Sequence, residues 1–175
     1  MNIIRINDHG RPLKLTYSGA MSYHEGNAYW GCALAYRMLQ LAGKLLSREK
    51  TWERQNLRIR SGHPGPGVRD TIEYVTGCVS EGRYELTCKT TEPRCVGEMD
   101  YCWKVDDGTQ CVDLNLAEDI VPEEFLKLLD RINHNEAHKK SEQEELEALK
   151  QSMTDKIWRL DLEHAFPGTK LIRID

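Results

Sequence analysis

The sequence predicts an α+β fold: an antiparallel sheet with helices packed on it, followed by a helical C-terminal extension. Three observations carry this prediction. Short runs with two-residue alternation open the chain and recur between residues 84 and 116. A strongly apolar stretch at residues 29–46 repeats at helical spacing. The charge-rich segment after Pro122 carries a sparser helical stripe.

Residues 3–6 (IIRI) and 12–16 (PLKLT) flank Asn7-Asp8-His9-Gly10, as in a β-hairpin with a Gly-containing turn. A loop containing YHEGN, residues 23–27, comes next. In YWGCALAYRMLQLAGKLL, residues 29–46, Leu34, Met38, Leu41 and Leu45 recur one turn apart with alanines beside them, as in a helix packed on most sides. NLRIR, residues 56–60, alternates as a short strand and feeds SGHPGPG, residues 61–67, which therefore sits at a strand-to-helix junction. Gly62, Gly65 and Gly67 open backbone angles closed to other residues, while Pro64 and Pro66 fix their own φ and restrict their predecessors. Such a loop has little entropy left to lose. Residues 68–75 form a second helix, with Gly77 as its stop.

Residues 84–90, 99–105 and 110–116 alternate as strands, and Asp107-Gly108 joins the last two in a tight turn. With that pair central, Tyr101, Trp103, Val105, Val112 and Leu114 share the core face. Cys102, Lys104, Cys111 and Asp113 share the other, with Cys102 and Cys111 as diagonal neighbours. Pro122 opens a helix with Phe125, Leu128, Leu129 and Ile132 on one stripe. Residues 133–164 read as a long amphipathic helix through Leu146, Leu149, Met153, Ile157 and Leu160, which needs a partner surface. Phe166-Pro167-Gly168 ends it, and KLIRI, residues 170–174, returns as a short strand. The expected division is residues 1–133 as the core domain with its N-terminal hairpin, and residues 134–175 as the extension.

A chain of 175 residues fits one domain and can bury a substantial core. Its net charge of -4 and pI near 5.9 argue against a general binder of nucleic acid or of anionic membranes. No stretch approaches the ~18 consecutive apolar residues of a membrane span, and MNIIRINDHG lacks the order of a signal peptide. The expected location is cytoplasmic, which keeps the six cysteines as thiols.

Several residue groups suggest chemistry. His24 and His63, with Cys78, Glu25 or Cys32 as a third donor, would suit zinc or another transition metal with an open position. Alternatively both histidines are loop residues with solvent or backbone partners, and Cys78 is a small buried hydrophobe. The Gly/Pro loop could cradle an anion at the second helix's N-terminus with help from Arg69, although its prolines remove donors. Cys88, Cys95, Cys102 and Cys111 have no Cys-x-x-Cys spacing and read as structural. HNEAH, residues 134–138, places two histidines one turn apart in a polar setting that reads as solvated helix or linker. Tyr29 and Trp30 either line a pocket or pack the first helix.

The order of helix, strand, Gly-containing junction, helix ending in Thr-Gly-Cys, three antiparallel strands and helix resembles the FmdE-like family of formylmethanofuran dehydrogenase proteins. The resemblance runs from about Tyr23 to about Ile132 and is carried by ALAYRM (33–38), DTIEYVTGC (70–78) and the Trp103-centred hairpin. That family typically has His-Gly-His and then Cys-Pro-Gly at the first helix, and a second cysteine opening the Asp-containing helix, around a pocket for metal or substrate. Here Glu25-Gly26-Asn27, Tyr29-Trp30-Gly31 and Gly67 occupy those places, whereas Asp70, Gly77 and Cys78 match. The resemblance implies a pocket formed by Tyr29, Trp30, Gly65, Gly67 and Asp70, with His24 and His63 as replacement ligands beside Cys78. It also implies a homodimer and a link to one-carbon metabolism, with subunits of a molybdenum or tungsten dehydrogenase as partners. The contrasting expectation is a non-catalytic assembly module whose pocket has become structural.

Overall fold

The structure is a computed structural model that describes residues 3–48, 50–87, 99–134 and 139–174. Strand β1 (Ile3–Asp8) pairs antiparallel with β2 (Arg11–Thr16). His9 and Gly10 between them have φ of 49° and 75°, the positive angles that match a two-residue turn to strand twist. Directly after β2 comes α1 (Tyr17–His24), where the sequence suggested only a loop. Thr16 caps α1 by accepting the Gly19 N–H at 3.1 Å, and Ala20 is its one buried residue.

Helix α2 (Tyr29–Leu46) has the bounds its periodicity predicts and forms the centre of the core. Two residues of its ALAYRM segment reach distant backbone. The Tyr36 hydroxyl donates to the Leu15 carbonyl at 2.8 Å. Arg37, 8% exposed, donates to the carbonyls of Ile157 (3.2 Å) and Leu160.

Strand β3 (Arg58–Ser61) leads through the Gly/Pro loop into α3 (Pro66–Thr76). Pro66 takes the first helical position, where its missing N–H costs no hydrogen bond, and Gly77 ends the helix at φ 66°. Strand β4 (Tyr84–Leu86) then pairs with β3 in parallel, because the connection through a helix returns the chain to its starting direction. Strands β5 (Cys102–Asp106) and β6 (Gln110–Asn115) complete the middle of the sheet. The sheet order is β4-β3-β5-β6-β7, where β7 is Lys170–Arg173, and every neighbouring pair except β3-β4 is antiparallel.

The β5–β6 turn lies one residue later than expected. Asp107 N–H donates to the Gln110 carbonyl, and Gly108 (φ 86°) begins the turn proper. Trp103 therefore faces Leu114, and Val105 faces Val112. A partner shift of two residues leaves the faces unchanged, so Trp103, Val105, Val112 and Leu114 are buried as predicted. Cys102 lies opposite Asn115 and Cys111 opposite Asp106, at opposite ends of the ladder rather than as diagonal neighbours.

Helix α4 (Glu123–His134) buries Phe125 and Leu128. Helix α5 (Lys140–Arg159) lies against α2 with Leu146, Met153 and Ile157 buried, and the short α6 (Leu162–Ala165) leads to β7. The C-terminal helices thus pack on the core through Leu146, Met153 and Ile157, and β7 joins the sheet beside β6. The α5 stripe that called for a partner has one in α2 of the same chain, so it gives no reason to expect a dimer. Among the described residues, no helix is long and apolar enough to cross a membrane.

Candidate functional site

Gly31 and Gly67 let the first turns of α2 and α3 cross closely. A Cβ on Gly67 would lie 2.5 Å from the Ala28 carbonyl oxygen, and one on Gly31 would lie 3.3 Å from the Val68 nitrogen. A cavity of about 200 Å³ opens at this crossing. Its wall combines Ala28, Trp30 and Gly31 from the start of α2 with the loop from His63 to Gly67. Met99, Tyr101, Phe125 and Leu129 supply the apolar remainder, and Asn133 and Lys150 supply polar side chains.

The loop is tied to itself. Ser61 Oγ accepts the His63 N–H at 3.2 Å and donates to the His63 carbonyl at 3.1 Å. His63 Nδ1 accepts the Gly65 N–H at 3.0 Å, and a side chain at Gly65 would meet the ring at 2.5 Å. With Nδ1 accepting, the ring proton is assigned to Nε2, which makes that nitrogen a donor. The ring stands edge-on to Tyr101 with centroids 4.9 Å apart. His63 is 6% exposed, and burial pushes its pKa down to about 4, so the imidazole is neutral near pH 7.

Two cavity residues carry polar atoms that the protein leaves unmatched. Trp30 Nε1 and the Tyr101 hydroxyl are buried without a hydrogen-bond partner among the described residues. Burial pushes the Tyr101 phenol well above its ordinary range, which keeps it protonated. A buried donor left unpaired costs about 1–3 kcal/mol, so each atom favours an incoming partner.

His24 lies in the adjoining layer. Its Nδ1 is 2.7 Å from Asp70 Oδ2, and its Nε2 accepts the Ala28 N–H at 3.3 Å. The carboxylate fixes the proton on Nδ1 and leaves Nε2 to cap α2 in place of the apolar Ala28 side chain. Glu25 (φ 54°) turns the chain here, and Gly26 is required because a Cβ would lie 2.7 Å from the ring. Cys78 is elsewhere: α3 has 11 residues, about 16 Å of rise, and Cys78 follows its far end. Its thiol lies 3.3 Å from the Leu57 carbonyl and 3.2 Å from Arg83 Nη1, and burial pushes its pKa up.

The residues therefore do not fit the metal site suggested by the sequence. Both His24 nitrogens are engaged, His63 uses Nδ1 on its own loop, and Cys78 is at the wrong end of α3. Among the described residues, no group of three or more His, Cys, Asp or Glu side chains is placed to hold a metal ion. Cys88, Cys95 and His138 lie outside the described residues. Of the five expected pocket residues, Trp30, Gly65 and Gly67 line the cavity. Tyr29 instead donates to the Glu147 carbonyl at 3.1 Å, holding α5 to α2, and Asp70 serves His24. Arg69 is 55% exposed, 3.6 Å from Asp70 Oδ1. The structure adds Tyr101, which the strand pattern assigned to the core face, and Lys150, which the sequence placed within the long amphipathic helix without singling it out. No protein-family model matches the chain, and no curated protein matches it.

Proposed function

We propose that this chain is a small-molecule-binding protein whose ligand occupies the cavity at the crossing of α2 and α3. The observation that carries this reading is a mostly apolar concavity of about 200 Å³, two of whose lining residues, Trp30 and Tyr101, carry buried polar atoms without a partner among the described residues. In this reading the chain is a divergent relative of the FmdE-like family. Support comes from position: Trp30, Gly31 and Gly67, which line the cavity, stand where that family places its Cys-Pro-Gly and second-cysteine residues. A cytoplasmic setting accords with free thiols at Cys32, Cys78, Cys102 and Cys111.

The test is a thermal-shift and NMR titration of the purified chain with small aromatic probes (indole, phenol, benzoate), beside the cavity-filling change Leu129→Trp. Saturable binding that Leu129→Trp abolishes is the expected result. Binding of no probe, or binding indifferent to Leu129→Trp, refutes the reading. It would favour the assembly module with dehydrogenase subunits as partners.

A further inference from the structure

The chemistry of the cavity wall narrows the ligand class, an inference that rests on the binding reading above. Helices α2 and α3 both begin at this cavity, neither has a hydrogen bond from its own N-cap side chain, and neither has an acidic residue in its first turn. The first turn of a helix leaves N–H groups without intrahelical acceptors and carries partial positive charge. In α2, His24 takes up the Ala28 N–H alone, which leaves those of Tyr29, Trp30 and Gly31 without acceptors in the helix. In α3, Pro66 has no N–H, and the Val68 and Arg69 N–H groups both donate to the Gly65 carbonyl at 3.1 Å, so that turn contributes the Gly67 N–H.

The side chains point to the same preference. Trp30 Nε1–H can only donate, is buried on a residue 5% exposed, and has no partner among the described residues. The assigned tautomer makes His63 Nε2 a donor, and the Tyr101 hydroxyl stays protonated. Lys150 brings an ammonium, shared with Glu147 Oε1 at 2.8 Å. No Asp or Glu lines the cavity among the described residues, and neither does an arginine. The lining thus combines the start of α2, His63 and Lys150 with the apolar side chains of Met99, Phe125 and Leu129.

We propose that the ligand is a small apolar monocarboxylate, its carboxylate at the N-terminus of α2 beside the Gly67 N–H and its body against Phe125 and Leu129. A phosphate dianion suits the wall less well: it would bring a second charge with no arginine to meet it, and Pro66 removes one of the donors a cradle would use. Size agrees. A 150 Å³ apolar cavity holds benzene, so about 200 Å³ suits roughly eight to ten non-hydrogen atoms.

The experiment is isothermal titration of the full chain at pH 7 with benzoate, phenylacetate and isovalerate. Their amides and inorganic phosphate serve as comparisons, and Trp30→Phe and Lys150→Met as variants. At least one carboxylate should bind about tenfold or more tighter than its amide, the gain expected of charge-assisted hydrogen bonds. The variants should reduce that preference severalfold while the amide still binds, which shows that the cavity remains folded. Equal or tighter binding of the amides overturns the carboxylate assignment and leaves the binding reading standing. Phosphate binding tighter than every carboxylate overturns it likewise, and absence of all binding overturns both.

Discussion

His63 offers a test of the loop's electrostatics that is independent of any ligand. Its pKa falls from 6.5 to about 4 on folding because burial penalises the imidazolium. Between those values the unfolded chain binds more protons than the folded one, so stability is fully present above pH 6.5 and declines as pH falls toward 4. Integrating the difference gives a loss of about 2–3 kcal/mol between pH 7 and pH 4.5. The change His63→Asn places an amide oxygen near the position of Nδ1, where it can still accept the Gly65 N–H, and removes the titration. Urea unfolding followed by tryptophan fluorescence at four pH values across this window measures both proteins, and other titrating groups cancel in the difference. The wild-type chain should lose about 2–3 kcal/mol more than the variant on acidification. Parallel stability curves would refute the buried, neutral ring. A smaller loss in the wild type would mean that the native imidazole is charged and has a partner.

Two further substitutions probe how the site is held. Gly67→Ala drives a methyl group into the Ala28 carbonyl and should cost about 1–3 kcal/mol in urea unfolding; a neutral effect would mean that α2 and α3 cross less closely than described. Arg37→Met keeps the apolar stem but leaves the carbonyls of Ile157 and Leu160 without their donor, and it ends the stacking on Trp158 at 5.4 Å. A loss of about 2–4 kcal/mol is expected, with amide exchange rising first at the C-terminal turn of α5; unchanged exchange there would contradict the capping role.

Local pattern revealed most of the fold because local forces decided it. The bounds of α2 follow from its leucine, methionine and alanine spacing, the stop at Gly77 from its left-handed backbone, and the hairpin faces from strict alternation. Helix α1 escaped detection because it buries only Ala20 and is held by its ends, through Thr16 at one and the His24–Asp70 pair at the other. The β5–β6 turn moved by one residue because Asp106 and Asp107 both bond to turn amides, at 2.6 Å to Gly108 N–H and 2.9 Å to Thr109 N–H. No run of residues reveals that preference. The α5 stripe looked unpartnered because its partner, α2, precedes it by most of the chain. At the site, glycines and prolines marked the constrained loop correctly. Spacing could not show that Cys78 follows the far end of α3, or that both His24 nitrogens and His63 Nδ1 are engaged with Asp70 and backbone amides. Tyr101 and Lys150 reach the cavity only through tertiary packing.

The cavity's parts are also spread along the direction of synthesis. The helix starts and the Gly/Pro loop leave the ribosome early, Tyr101 and Phe125 later, and Lys150 later still. Until α5 emerges, Arg37 has no carbonyls to reach and the flank of α2 that α5 covers lies bare, a stretch of exposed apolar surface that invites chaperone attention. Contacts spanning 118 to 120 residues, such as Tyr29 with Glu147 and Arg37 with Ile157, close last and slow the final step of folding. The cavity wall is therefore complete only once Lys150 and the rest of α5 have emerged.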